Sequence, residues 1–351
     1  MATASSSRRA KRQYPQLDAA KFIAALLVLL RHALQWKFTS GTEEYEIIYC
    51  WLTNIAVPIF FAISGFLLFR AQKKLYHLPL CTLARYVGRI FFLYVLWSLL
   101  YFPFTLYFWT QENMVTTFPQ FLQNYVRQFF LTSNVIQLWY LPALIVACVL
   151  VWLLVKIRIP APLVLLITLG AYAFGCVMGY GELYAYMPGW FLDITDAYFP
   201  KFITTRNGVF YGAFFVALGM SVTRVRIGRL KYVALALFFV FFAGMYFEVQ
   251  ALGENDMVLC AAPATAFLFL FLRGLRLKPR PVYRHLRALS EFIYFAHALP
   301  IYGLVALEGA EILSLKPWPG VLVAFFAGLA VSAGLWALSR TRGFAFLRRA
   351  V

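Results

Sequence analysis

The chain has 351 residues, of which 62% are hydrophobic and only 13% charged, and its formal net charge is +18. A soluble domain of this length carries about a quarter charged residues, so the composition excludes water as the main solvent. The basic excess would fit a nucleic-acid binder, but the placement of the charges along the chain excludes that class as well.

Residues 1–16 form a basic tail (MATASSSRRAKRQ and the three residues after it) that can touch anionic lipid. The first apolar stretch begins near Leu17, is long enough to span a bilayer, and has no small-residue cleavage site behind a short apolar core. It is therefore expected to stay in the mature protein. A spanning helix needs about 20 apolar residues at a rise of about 1.5 Å each. Stretches of that kind lie near 17–36, 51–69, 87–109, 138–155, 162–180, 206–223, 232–250, 257–272, 290–307 and 319–339. The expectation is an all-α integral membrane protein of about ten transmembrane helices, with residues 17–351 forming one domain. Between the third and fourth spans, apolar residues recur at Phe118, Phe121, Leu122, Tyr125, Val126, Phe129 and Phe130. That period predicts an amphipathic helix lying in the outer interface. The five cysteines have no metal-like or redox-like spacing, and the four histidines show no ligand pattern, so no metal is expected.

With the N-terminus placed inside, all Lys and Arg but Arg31, Lys37, Arg127, Lys201, Arg206 and Lys316 fall on the inner side, and the C-terminus lies inside too. Of the 14 acids only Asp18 and Glu291 join them. This is the positive-inside pattern, and it makes the basicity a matter of topology.

Ionisable residues within spans are costly and are functional candidates by default. The first span, LDAAKFIAALLVLLRHALQW, holds Asp18, Lys21, Arg31 and His32. Lys21 and His32 project from one helix face about 16 Å apart along the axis, and Asp18 shares that face. The cation then sits near the inner mouth and the imidazole near the outer one. Snorkelling to the two headgroup layers is the bland alternative. Ser64 and Gly65 interrupt the second span at the depth of Lys21, where small residues usually serve close packing. Arg85 and Arg89 stand one turn apart where the third span begins, placed to meet lipid phosphate or an anionic ligand from the cytoplasm. The ninth span carries His297 well inside the bilayer.

In order along the chain, LDAAKFIAALLVLLRH, VPIFFAISGFL, RYVGRI, LWYLPAL, RNGVFYGAFFVALG and LSEFIYFAH resemble the motifs of the membrane-bound acyltransferase-3 family. The resemblance reaches from Leu17 to beyond His297. It implies a ten-helix O-acyltransferase that takes an acyl group, acetyl by family default, from cytoplasmic acyl-CoA. The acceptor would be a hydroxyl of a glycan or lipid-linked sugar at the outer face of a bacterial inner membrane. The family's first-span pattern is a basic residue, ten residues and a histidine, which makes His32 the catalytic histidine. Lys21 takes a position often held by Arg, so bidentate anion binding is unavailable there. Many members carry a further periplasmic domain. With the chain stopping at Val351, acceptor choice is expected to reside in the membrane part.

On this reading neutral His32 serves as general base for the acceptor hydroxyl, with Lys21 and Asp18 supporting it. Arg85, Arg89, Lys21 and Ser64 line the path of the donor, and Asp18 pairs with Lys21 or Arg89. Arg31, Trp139, Tyr140, Arg206 and His297 face the substrate, with Arg31, Asn54 and Tyr140 as candidates for the oxyanion. The acceptor side would draw on residues 37–50 with Glu43, Glu44 and Glu46, the 118–130 helix, and 181–206 with Trp190, Asp193 and Asp196. The rival classes are a transporter or flippase and a non-catalytic scaffold of the same fold. No paired broken half-segments favour the transporter. Nothing in the sequence sets the oligomeric state.

Overall fold

The computed structural model describes residues 13–70, 78–111, 115–253 and 255–351. Arg8, Arg9, Lys11 and Arg12 of the basic tail, with Lys73 and Lys74, lie outside them. Every regular element among the described residues is helical. In chain order the α-helices are α1 (Pro15–Lys37), α2 (Ala56–Phe69), α3 (Leu80–Gln111), α4 (Phe118–Leu131), α5 (Tyr140–Lys156), α6 (Ala161–Gly179) and α7 (Gly189–Phe202). They continue as α8 (Ala213–Ser221), α9 (Leu230–Leu252), α10 (Ala261–Gly274), α11 (Pro281–Ala296), α12 (Ala298–Gly309) and α13 (Pro317–Ser339). Proline opens α1, α4, α6, α11 and α13 within their first two positions, where its missing N–H removes a donor that has no partner in any case.

A helix stands at each of the ten expected positions. Among the described residues, seven helical runs are long and apolar enough to cross a membrane: Tyr45–Phe69, Leu80–Gln111, Phe118–Lys156, Ala161–Gly179, Leu230–Leu252, Pro281–Gly309 and Pro317–Ser339. Two shorter apolar runs, Gly208–Arg224 and Ala261–Gly274, lie between them. The first helix, which carries Asp18, Lys21, Arg31 and Lys37, is not among the seven.

The core is held by α1 against α2, α11 and α13, and by α2 against α8. The α2–α8 crossing depends on two glycines. A Cβ at Gly65 would collide with the backbone carbonyl of Val216, and one at Gly219 with the backbone of Ala62 and Phe66. The two helices thus touch backbone to backbone, as small residues permit in membranes. Gly65 serves packing, while its neighbour Ser64 turns to Tyr140 at 3.0 Å.

Three local departures from α-helix shape the interior. Residues Tyr45–Leu52 and Gly208–Gly212 are π-helical. The second is capped by Asn207, whose Oδ1 accepts from the N–H groups of Val209 (2.9 Å) and Phe210 (3.1 Å). The third is the interruption between α11 and α12 at His297. Pro300, four residues after Ala296, has no N–H to give to that carbonyl, and its ring crowds it.

The amphipathic helix expected between the third and fourth spans is α4. Its apolar residues divide into two sets. Phe121, Tyr125 and Phe129 face the bundle, with the Phe129 ring 4.5 Å from Tyr94 and the Tyr125 hydroxyl donating to Ser98 O at 3.1 Å. Phe118, Leu122, Val126 and Phe130 are exposed.

Candidate active site

Arg31 and His32 leave α1 at consecutive positions and so point about 100° apart. Arg31 is buried. Its Nη1 donates to Tyr49 O (2.8 Å), its Nη2 to Asp256 Oδ1 (3.3 Å), and its guanidinium lies 3.6 Å over the Tyr49 ring. Arg206 Nη1 donates to the same Asp256 Oδ1 at 2.7 Å, with its guanidinium 4.7 Å from the Trp139 ring. Two arginines therefore share one carboxylate and leave one net positive charge. The π-helical segments matter here: Tyr49 belongs to the first, and Arg206 directly precedes the cap of the second. Single π-type turns of this kind concentrate at functional sites because they re-aim side chains.

His32 Nδ1 faces Gln35 Oε1 at 3.3 Å. A carboxamide oxygen only accepts, so Nδ1 carries a proton toward it. The His32 ring stacks on His297, with centroids 5.2 Å apart and planes at 27°. His297 is fully buried at the α11–α12 interruption. Its Nδ1 donates to Ile293 O (2.7 Å), and its Nε2 has no partner. The two imidazoles lie face to face.

Two cavities meet at His32. One is a narrow chamber of about 30 Å³ that Arg31, His32, Asn54, Gln137, Trp139 and Tyr140 help to line. The other is a vestibule of about 790 Å³ whose walls include Trp36, Phe104, Trp109, Asn134 and Tyr302. His32, Gln137, Trp139, Arg206 and Asp256 belong to both linings. The chamber holds several N–H donors with no acceptor: Asn54 Nδ2, Gln137 Nε2 and Arg206 Nε. Buried donors without acceptors are rare in native proteins, and a group of them can be met by ordered water or by an acceptor-rich ligand. In the vestibule both amide atoms of Asn134 are likewise buried without partners. The Tyr302 hydroxyl donates to Gln137 Oε1 at 3.0 Å, which orients the Gln137 amide toward the chamber with Nε2 free.

Of the residues singled out in the sequence, Arg31, His32, Trp139, Tyr140 and Arg206 converge on the chamber, and His297 stacks on His32. Ser64 reaches the chamber through Tyr140. Asp18, Lys21, Arg85 and Arg89 line neither cavity. The expected pairing of Asp18 with Lys21 or Arg89 is replaced by Arg287 at 3.8 Å, because α11 packs along the start of α1 and brings its own cation. Arg89 donates to Val351 O at 2.9 Å. The vestibule takes Gln128 from α4 and Ile203, Thr204 and Arg206 after α7, but its lining does not include Glu43, Glu44, Glu46, Trp190, Asp193 or Asp196. Glu46 instead accepts from Gln250 Nε2, which keeps it at the surface. Asp256, Gln35, Gln137 and Asn134 escaped the sequence reading. Asp256 stands in a short polar connection that reads as plain loop, and the three amides carry no charge to mark them. Among the described residues no group of three or more His, Cys, Asp or Glu side chains could hold a metal ion.

Comparison with known proteins places the chain among acyltransferases. A family described as an acyltransferase domain matches residues 14–337. An amino-acid racemase of Enterococcus faecalis is 27% identical over 303 residues, covering 81% of this chain and 40% of the relative. A serine/alanine racemase of Enterococcus gallinarum is 26% identical over 301 residues, covering 82% of this chain and 41% of the relative. The chain thus spans about two fifths of the length of these relatives. No solved structure matches it.

Proposed function

This chain belongs to the acyltransferase-3 family, and we propose that it moves a short acyl group, acetyl by preference, from cytoplasmic acyl-CoA to a hydroxyl of an extracytoplasmic glycan or lipid-linked sugar. It is an acyltransferase and a multi-pass membrane protein. The proposed arrangement has ten crossings within residues 17–351, both termini in the cytoplasm, α4 in the outer interface, and a bacterial inner membrane as the host.

One observation carries the reading: His32 stands where a narrow chamber with unpaired donors meets an open, aromatic-walled vestibule. The thioester end of the donor belongs in the chamber, where about 30 Å³ suits a short acyl group and no long chain. The acceptor belongs in the vestibule, where Asn134 offers an unpaired donor and acceptor to a polyol beside Trp36, Trp109 and Trp139. His32 Nε2 takes the hydroxyl proton as the oxygen attacks the acyl carbon. The C–O bond forms, the C–S bond breaks, and the proton passes from His32 to the departing thiolate. Of the oxyanion candidates, Asn54 fits best, since its Nδ2 is free while the Arg31 nitrogens are engaged by Tyr49 and Asp256. Preorganised donors of this kind are worth about 2.7–4 kcal/mol at the transition state. Ser64 and Lys21 lie along the donor's arm. Racemase chemistry, named for relatives that the chain matches over two fifths of their length, forms no part of this reading.

The test uses purified protein in sealed vesicles with labelled acetyl-CoA outside and a polysaccharide repeat unit as acceptor. Label appearing on the acceptor, with free coenzyme A released, is the expected result. Label crossing the membrane on intact donor, with no transfer, would instead make the chain a transporter.

A further inference from the structure

At the far end of α1 from His32 the bundle opens into a third cavity, of about 1200 Å³. Gln16, at the start of α1, lines it, so along that helix it lies about 24 Å from His32. Its walls come from three separate stretches: residues 13–16, the 225–232 connection into α9, and residues 273–277 at the end of α10. Arg226, Arg229, Lys231, Arg273 and Arg276 line it, and among the described residues no carboxylate does.

The backbone is built to bring these cations together. Gly228 has φ +52, which turns the connection between α8 and α9 back on itself. At Gly274 a Cβ would stand 2.7 Å from Lys231 Cβ, so the end of α10 presses against the start of α9. That contact sets Arg273 and Arg276 beside Arg229 and Lys231. On the floor, the Arg273 guanidinium lies 4.3 Å over the Phe66 ring, which Tyr14 meets edge-on at 5.1 Å. Phe66 follows Ser64 by two positions, and Ser64 touches Tyr140 of the chamber.

Cations that only mark the inner face spread over loops at the headgroup level. Here they converge on one recess that, among the described residues, no carboxylate lines, which concentrates positive charge at its mouth. We infer that this recess binds a phosphate-bearing headgroup, the guanidinium forks of Arg229 and Arg276 matching phosphate oxygens in pairs. Given the acyl-CoA reading, on which this assignment rests, the headgroup is the nucleotide end of the donor. The nucleotide then sits here and not against Arg85 and Arg89, of which Arg89 already donates to Val351 O.

A lipid phosphate has the same chemistry, so the experiment has two arms. In the first, the full chain in nanodiscs of phosphatidylcholine alone is titrated with coenzyme A and with adenosine 3′,5′-bisphosphate. The Arg229→Ala/Arg276→Ala double variant should weaken both by at least about tenfold, the worth of one charge-assisted hydrogen bond. Arg85→Ala/Arg89→Ala should leave both within about threefold. Melting curves establish that each variant is folded, and an Arg229→Lys/Arg276→Lys pair, keeping charge without the fork, should fall between. In the second arm, phosphatidylglycerol retained by the wild type is measured by native mass spectrometry. Lipid lost in the double variant, with no nucleotide binding by the wild type, keeps the phosphate site and removes the donor role. Nucleotide binding that depends on Arg229 and Arg276 in a protein with no transferase activity keeps the site and removes the acyl-transfer reading. If neither nucleotide nor lipid binding responds to these arginines, or if Arg85 and Arg89 carry the binding instead, the inference is overturned.

Discussion

At the scale of single residues, the site rests on side chains held in one orientation. Gln35 Oε1 faces His32 Nδ1, and on the proposed reading this hydrogen bond leaves Nε2 as the base. Gln35→Ala should lower kcat by about tenfold, the value of one hydrogen bond, with KM for the donor unchanged. Steady-state kinetics separate this from a binding defect, which would move KM instead. His297 acts on the proposal as a ring that holds the plane of His32. His297→Phe keeps a stacked ring and should retain most of the activity, whereas His297→Ala should lose it; equal loss in both would give His297 a proton to carry. Asp256 gathers Arg31 and Arg206, so Asp256→Ala sets two like charges facing each other without a partner. Its carboxylate is partly exposed, which limits the cost to about 1–2 kcal/mol, read as a lower Tm. Sequence reading found Arg31, His32, Trp139, Tyr140 and Arg206 because a bilayer makes such residues conspicuous, and it missed Asp256 in its short polar connection. It passed over Gln35, which is marked by its contact with His32, and over Asn134 and Gln137, whose role appears only when their unpaired amide atoms are seen around a cavity.

At the scale of elements, the positions of the helices were legible from hydropathy and their interruptions were not. Periodicity places α1, α9 and α13 within two residues at each end, since long apolar runs admit one reading. The π-helical turns at Tyr45–Leu52 and Gly208–Gly212 leave no mark in such a pattern, because an extra residue in one turn changes the direction of side chains and not the apolar content. The same holds for the interruption at His297, although Pro300 is its signal once the missing N–H is traced to Ala296. Pro300→Ala should restore the ladder and raise Tm, while kcat falls because His297 leaves the plane of His32. A gain in both Tm and kcat would show that the interruption has no catalytic use. At the α2–α8 crossing, Gly219→Val forces two backbones apart and should cost about 1–3 kcal/mol by overpacking, measured as a lower Tm in detergent.

At the scale of the whole molecule, the charge pattern and the cavities give one axis. Cations collect at the end of the bundle where α1 begins, and the chamber and vestibule lie toward its other end. Cys81 tests the orientation directly, being the exposed cysteine at the start of α3 while Cys50, Cys148 and Cys176 are buried. With Cys260 replaced by Ala, an impermeant maleimide should label the protein in inside-out vesicles and leave it unlabelled in right-side-out ones. The reverse would invert the topology. The central claim is narrower, that His32 removes the acceptor proton in an enzyme that binds its donor by other residues. The direct measurement is acyl transfer from labelled acetyl-CoA by His32→Ala beside the wild type, with coenzyme A affinity determined on the same samples. The account predicts turnover lower by about 10²–10⁴, the contribution of a general base, at unchanged affinity. Turnover equal to the wild type would contradict it.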